Sequence, residues 1–266
     1  MHHTVLDGGK RLRPLLFVLM VPEEPLRRMA IDVACAIEIV HIASLILDDL
    51  PCMDDAALRR GKPTTHVVFG EATAILAGIF LLACGMNILA TIENLPGEAR
   101  ASLAASLSLA AGATGLAARQ QVDLDDAQSP DVGVERKNWL KNVRLFVVMA
   151  EMASILDQRP QEQSGARVKM AFHVGSAFQA LDHLLDLMAL PRSVGMDSNE
   201  DVGGRTMMNN RGYSAKRQSC HLHIEAATSA PSRCGLEEEP IRYLIRSISR
   251  LVPPETTNGQ PGGPRT

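Results

Sequence analysis

Apolar residues recur every three to four positions along most of this chain, and prolines and glycines divide the pattern into helix-length pieces. This spacing places apolar side chains on one face of an α-helix. No segment keeps a period of two with β-branched enrichment, so we expect no β-strands. The pattern predicts five long helices, over 27–47, 70–92, 99–124, 134–156 and 166–190. Two further helices are predicted in a less regular region, over 214–230 and 237–251.

Composition agrees with a helical protein. The chain has 266 residues, of which 46% are apolar, 21% charged and only 3% aromatic. Ala and Leu dominate, as they do in helical bundles. We therefore predict an all-α fold with a single domain over residues 1–251. The last residues, 252–266, are rich in Pro, Gly, Thr and Asn, and we expect them to form a disordered tail.

Charge and hydropathy exclude several classes of protein. The formal net charge is −3 and no long basic run occurs, which argues against binding to nucleic acid or to a membrane surface. Residues 72–90 are almost uncharged, but they contain Asn87 and many small residues, so we predict a buried bundle helix and no membrane span. No signal peptide begins the chain, and its five cysteines lack metal-ligand spacing. We expect reduced thiols and a cytoplasmic location.

The most informative segment is a cluster of acids that follows an apolar helical run. Four carboxylates stand within eight residues, at Asp48, Asp49, Asp54 and Asp55. Carboxylates this close repel one another unless cations lie between them, and oxygen ligands suit Mg²⁺. Arg59 and Arg60 follow, and planar guanidinium groups match phosphate oxygens. The segment predicts a diphosphate held through Mg²⁺; the alternative is a solvated helix end with a capping Asp.

A basic cluster, made by Lys10, Arg11 and Arg13, follows two glycines near the start of the chain. Glycines allow close approach of a phosphate and the cations supply charge, although a solvated basic turn has the same composition. His41 lies seven residues before Asp48, two helical turns away on a similar face. We therefore expect His41 to share the site, while a buried core histidine is the alternative.

A second acidic pair, Asp182 and Asp186, has the four-residue spacing that puts both side chains on one helix face. His183 stands between them. A neutral imidazole is a poor ligand for Mg²⁺, so His183 weakens this pair as a metal site.

Asp48-Asp49 with Asp54, followed by residues 58–64 (LRRGKPT), resembles the first aspartate-rich motif of the trans-isoprenyl diphosphate synthases. The resemblance runs from Gly8 to about Asn209 and is strongest to bacterial geranylgeranyl diphosphate synthases. It implies an isoprenoid-synthase-type helical bundle around a central cavity, and a homodimer. It also implies two or three Mg²⁺ ions. Their expected ligands are Asp48, Asp49, Asp54, Asp182 and Asp186.

The resemblance assigns substrates as well. Residues expected to bind isopentenyl diphosphate are Lys10, Arg13, His41, Arg60 and Gln179. Arg59 and Lys141 are expected to bind the allylic diphosphate, which is dimethylallyl, geranyl or farnesyl diphosphate. Gln120 and Asp123 match a Gln and an Asp of another cavity helix. The catalytic set implied is Asp48, Asp49, Lys141 and Asp182.

The implied reaction is loss of the allylic diphosphate, attack by the double bond of isopentenyl diphosphate, and loss of a proton. Ala43 and Ser44 precede the first motif by about one turn and are small. A growing chain can pass small residues, which favours the C20 product geranylgeranyl diphosphate.

Three of the departures from the family pattern affect metal or diphosphate binding. His183 replaces an Asp, and Met196 and Gly204 replace two lysines of a diphosphate-binding loop. Only seven residues precede Gly8, where the family has one or two helices. These departures leave open an impaired or non-catalytic homologue acting as a regulatory subunit. A terpene cyclase is a further alternative, but cyclases lack a second diphosphate site.

Overall fold

The computed structural model describes residues 2–5, 11–112, 115–126, 143–189 and 202–253. Within these ranges the protein is almost entirely helical. The first helices are α1 (His2–Val5), α2 (Leu12–Met20), α3 (Leu26–Asp48), α4 (Thr65–Phe69), α5 (Glu71–Ala90) and α6 (Gly97–Ala111). They are followed by α7 (Leu116–Asp126), α8 (Arg144–Asp157), α9 (Gln161–Ala189), α10 (Val202–Thr228) and α11 (Glu238–Ser249). A short 3₁₀ turn, Pro231–Cys234, joins α10 to α11. The all-α prediction is confirmed.

The predicted helix over 99–124 is wrong as a single element, because glycines divide it into α6 and α7. Gly112 ends α6, and its N–H bonds to the carbonyl oxygen of Ser108. Gly115 then folds so tightly that a Cβ there would lie 1.7 Å from the carbonyl oxygen of Ala110. Only glycine tolerates so close an approach. The first half of the predicted helix over 134–156 lies outside the described residues, and α8 supplies the second half.

The expectation of no strands is also wrong. β1 (Leu58–Arg59) and β2 (Lys62–Pro63) pair antiparallel, and the turn between them uses positive φ values of 54° at Arg60 and 78° at Gly61. This is the backbone of a tight two-residue hairpin. Strands of two residues are too short to show alternation, but the hairpin fixes the direction of Arg59.

The helix α3 lies at the centre of the fold, packed against α2, α5 and α8. Its contact with α5 is close because α5 presents glycines. A Cβ on Gly78 would lie 2.8 Å from side-chain carbons of Leu47, and one on Gly85 would lie 2.6 Å from Cγ2 of Val40. This packing holds α3 rigidly, with the first acidic motif at its carboxyl end.

The prediction that residues 72–90 form a buried helix holds for one face only. The face of α5 opposite α3 exposes four large apolar side chains, Ile75, Leu76, Ile79 and Phe80, by 40–67%. By length and composition alone, three segments found among the described residues could cross a membrane: Leu26–Asp48, Glu71–Ala90 and Gly97–Ala118, the last of which includes α6 and the start of α7. The expected lack of a membrane span, like the cytoplasmic location, stays a prediction.

Candidate active site

The first acidic motif is built where α3 ends. Asp48 is its last residue, and Asp48 and Asp49 are only 6% and 4% exposed. The chain then turns back over the helix end, so the N–H of Asp54 donates to the carbonyl oxygen of Asp48 at 2.9 Å. The N–H of Ala56 donates to the carbonyl oxygen of Asp49 at 3.3 Å. These bonds satisfy carbonyl groups that a helix end leaves open, and they bring Asp54 next to Asp48.

Arg59 reaches from the hairpin to the first motif. Its Nε donates to both carboxylate oxygens of Asp49 at 2.9 Å, and its Nη2 donates to Oδ1 at 2.6 Å. Burial lowers the pKa of Arg59, but the hydrogen bond and charge of Asp49, with the charges of Asp48 and Asp54, outweigh it and raise that pKa. Arg59 therefore stays charged and neutralises part of the repulsion among the acids.

Gln120 brings α7 to the same motif. Its Nε2 donates to Oδ1 of Asp54 at 2.8 Å, and the residue is 6% exposed. The structure thus brings together five residues that the resemblance implies for one cavity: Asp48, Asp49, Asp54, Arg59 and Gln120.

Arg13 forms a second, basic part of the site. It lies in the first turn of α2, is 8% exposed, and donates through Nη1 to Nε2 of His41 at 3.2 Å. Burial lowers its pKa, the negative charges of Glu38 and Asp182 oppose this, and Arg60 adds to it. A guanidinium keeps its proton against such shifts, so Arg13 is a buried cation. His41 is therefore a neighbour of Arg13, and its role in substrate binding stays a prediction.

The second acidic motif lies on α9, across Arg13 from α3. Gln179 is 5% exposed, and Asp182 and His183 are half-buried. Phe178, one turn before Asp182, has its ring centroid 5.4 Å from the guanidinium carbon of Arg13. Arg13 therefore lies between the helix that carries Asp48 and the helix that carries Asp182.

Several predicted residues lie outside this description. Lys10, Lys141 and Met196 are outside the described residues, as are the side chains of Asp123 and Asp186. Gly204, predicted in a loop, belongs to the first turn of α10.

A cleft beside the first acidic motif is lined by Asp49 and Arg59 and by His41, the neighbour of Arg13. Its charged lining residues are Arg11, Glu38, Asp49, Arg59, Arg60 and Lys62. Sequence analysis placed Arg11 in the basic cluster but gave no role to Glu38 or Lys62. Arg11 is held by Glu38, with Nη1 2.7 Å from Oε1. Glu38 could have been recognised because it precedes His41 by three residues on one helix. Lys62 could have been recognised because it pairs with Arg59 across the hairpin.

The acidic residues provide the type of ligand that Mg²⁺ prefers, which is a carboxylate oxygen. Within the described part of the chain, no three carboxylate, imidazole or thiolate groups converge closely enough to hold one ion. Both carboxylate oxygens of Asp49 accept hydrogen bonds from Arg59, and Oδ1 of Asp54 accepts one from Gln120.

Comparison with known proteins agrees with the geometry. The family model described as polyprenyl synthetase matches residues 1–218. A geranylgeranyl diphosphate synthase of Pseudescherichia vulneris is 40% identical over 233 residues, which are 85% of this chain and 75% of that protein. A synthase of the same name from Pantoea ananas is 37% identical over 252 residues, 93% of this chain and 82% of that protein. The solved structure of a geranyltransferase from Legionella pneumophila superposes with a TM-score of 0.76 at 28% identity, covering 94% of this chain and 84% of that one.

Proposed function

The chain belongs to the polyprenyl synthetase family, and from that premise we propose that it condenses isopentenyl diphosphate with an allylic diphosphate to give geranylgeranyl diphosphate. The observation that carries the proposal is the buried Asp48-Asp49 pair at the end of α3, with Arg59 bound to it. Burying two adjacent carboxylates is costly unless cations offset their charge, and a metal–diphosphate complex supplies such cations.

We propose that Asp48, Asp49, Asp54, Asp182 and Asp186 hold two or three Mg²⁺ ions. When bound, the ions would act as Lewis acids that stabilise the departing diphosphate. Arg59 would then exchange Asp49 for the allylic diphosphate, because a guanidinium binds phosphate as well as carboxylate through paired hydrogen bonds. Lys141 would hold the same diphosphate.

Isopentenyl diphosphate would bind on the basic side of the cleft. Its expected ligands are Lys10, Arg13, His41, Arg60 and Gln179. Arg13 supports this assignment, because a guanidinium that is 8% exposed gains most from an anionic ligand. The apolar walls of the bundle would exclude water from the allylic cation until the double bond attacks and a proton leaves.

A direct assay tests the reaction. Purified protein is incubated with MgCl₂, farnesyl diphosphate and labelled isopentenyl diphosphate, and the dephosphorylated product is separated by chain length. We expect a labelled C20 alcohol, with none in EDTA or in the Asp48→Asn variant. Folded protein that incorporates no label would contradict the proposal and favour the non-catalytic alternative.

We further propose that the protein is a homodimer that buries an apolar face formed by α4 and α5. The members of this face are Val67, Val68, Phe69, Ile75, Leu76, Ile79 and Phe80. Contiguous apolar side chains of this size mark a contact surface on a soluble domain. A second copy fits as the partner, because a two-fold axis through α5 would place the same apolar residues against each other.

A further inference from the structure

We propose that Phe146 and Phe178 are positioning residues that clamp the guanidinium of Arg13 and fix its direction toward isopentenyl diphosphate. The inference rests on the proposed binding of isopentenyl diphosphate at Arg13. It assigns a role to two aromatic side chains that carry no charge and were not among the predicted site residues.

The three side chains come from three helices. The guanidinium carbon of Arg13, on α2, lies 5.0 Å from the ring centroid of Phe146 on α8 and 5.4 Å from that of Phe178 on α9. The two ring centroids are 6.1 Å apart, with the ring planes inclined by 47°. Both distances fall within the about 6 Å range of a cation–π contact. Arg13 is therefore held by two aromatic rings at once.

A glycine in α9 allows these three side chains to meet. Gly175 lies one turn before Phe178, where α9 crosses α8. A Cβ on Gly175 would lie 2.9 Å from Cα of Val143 and 3.2 Å from Cδ2 of Phe146. The first distance is shorter than real Cβ contacts and involves backbone that cannot yield. Glycine at this position therefore brings the two helices close enough for both rings to reach Arg13.

The aromatic rings offset part of the free-energy cost of burying the charge of Arg13. Arg13 carries its charge at 8% exposure, so the guanidinium has lost most of its hydration. Aromatic faces replace part of that hydration without consuming N–H donors. The rings also restrict rotation about the side-chain torsions of Arg13. Because this side chain is already restricted, less conformational entropy is lost when a ligand binds. The N–H groups thereby keep one direction, with Nη1 toward His41 in the cleft.

Phe146 gives the cleaner test of the two. Phe178 precedes Asp182 by one turn on α9, so a change there also disturbs the second acidic motif. Phe146 is fully buried on α8 and contacts Arg13 without lining the cleft. Phe146→Leu removes the ring but keeps an apolar side chain. We expect its KM for isopentenyl diphosphate to rise about tenfold, which corresponds to about 1.4 kcal/mol. We expect its KM for farnesyl diphosphate and its kcat to change less than about twofold, because binding and not chemistry is affected.

A double-mutant cycle with Arg13→Lys separates this role from a general loss of packing. Lysine keeps the charge but lacks the planar group that stacks on rings. If Phe146 acts through Arg13, Phe146→Leu should add little to the KM of the Arg13→Lys variant. Phe178→Tyr should keep the parent KM while Phe178→Leu raises it, since Tyr retains the ring. If Phe146→Leu does not fold, this pair tests the clamp, and an unchanged KM for farnesyl diphosphate in Phe178→Leu separates it from a disturbed acidic motif.

Phe172→Leu is the matched control. Phe172, like Phe178, is half-buried on α9. Its ring contacts His173 and His223, so its replacement should leave the KM for isopentenyl diphosphate unchanged. If Arg13→Lys itself leaves that KM unchanged, the proposed substrate site is wrong. If Arg13→Lys raises it while Phe146→Leu has no effect, or has an additive one, the substrate site stands and the clamp is refuted.

Discussion

Arg59 and Asp49 form a bidentate ion pair in which one guanidinium contacts both oxygens of the carboxylate, at 2.6–2.9 Å. The carboxylate is 4% exposed, so its charge is offset by Arg59 and not by water. The same carboxylate is a proposed ligand of Mg²⁺ and the same guanidinium a proposed ligand of diphosphate. On the proposed assignments, Asp49 would leave Arg59 for Mg²⁺ and Arg59 would leave Asp49 for diphosphate, so substrate binding would exchange one ion pair for two new contacts.

Asp49→Asn should reduce prenyltransferase activity at least about 10²-fold while the fold survives, because an amide is a weak Mg²⁺ ligand and leaves Arg59 without its anion. Initial rates over a range of MgCl₂ concentrations measure the effect, and circular dichroism checks the fold. Asp55→Asn is the control, since Asp55 is exposed and its φ of 48° suits Asn. Equal activity of Asp49→Asn and the parent would refute the metal assignment.

The helices at the centre of the fold could be predicted because their apolar pattern is long. The prediction 27–47 differs from α3 by one residue at each end, and the acids at its end were recognised from local sequence alone. Which hydrogen bonds those acids make within the site could not be predicted. Arg59 reaches Asp49 through a hairpin too short to show a strand pattern. Phe146 and Phe178 meet at Arg13 because three helices pack together, with α9 and α8 in close contact at Gly175, and no local sequence pattern indicates that contact.

Ser44→Phe should shorten the product toward C15. Ser44 precedes Asp48 by four residues on the same face of α3, so an aromatic ring there would close the path of the growing chain. Chromatography of the dephosphorylated products measures the chain length. Geranylgeraniol as the main product of both Ser44→Phe and the parent would show that the chain grows along another path.

The sequence predicts that Ala43→Phe also shortens the product. The structure, however, places Ala43 in a different packing environment from Ser44. Ala43 is fully buried in a cluster with Ile46, Ala74 and Leu81, where α3 packs on α5. Overpacking such a contact costs about 1–3 kcal/mol. We therefore expect Ala43→Phe to lower the melting temperature, and chain length is to be compared only in preparations that remain folded.

His183→Asp combined with Gly204→Lys should raise the activity if these departures weaken the enzyme. The first change adds a carboxylate oxygen next to Asp182, and the second adds a phosphate-binding cation at the start of α10. A charge-assisted hydrogen bond contributes about 1.5–3 kcal/mol, so an increase of about tenfold or more is expected. Steady-state kcat/KM of the parent, the two single variants and the double variant measures it. A folded double variant no faster than the parent would mean that neither position limits the rate.

Leu76→Glu should convert the proposed dimer into monomers, because it places a charge in the centre of the apolar face. Leu76 is 67% exposed in a single chain, so the substitution costs the isolated fold little. Sedimentation velocity gives the mass. Leu222→Glu, at an apolar residue that is 59% exposed on α10, is the control and should stay dimeric. A parent protein that sediments as a monomer, or that partitions into detergent micelles, would overturn the homodimer.

The pair His173 and His223 should make stability depend on pH. Their Nδ1 atoms lie 2.9 Å apart between α9 and α10, so one ring must donate to the other and the pair cannot hold two ring protons there. Burial lowers the pKa of His173, and burial together with His173 lowers the pKa of His223, both from an ordinary value of 6.5.

Since both pKa values are lower in the folded state, the unfolded chain binds more protons once the pH falls below about 6.5. The stabilising contribution of the pair is therefore fully present above that pH and is lost as the pH falls through the two folded pKa values. His223→Gln should make the free energy of unfolding fall less steeply between about pH 7 and about pH 5, as measured by urea unfolding. His221→Gln, on the same helix, should keep the slope of the parent. Parallel slopes for the parent and His223→Gln would show that the pair does not govern acid stability.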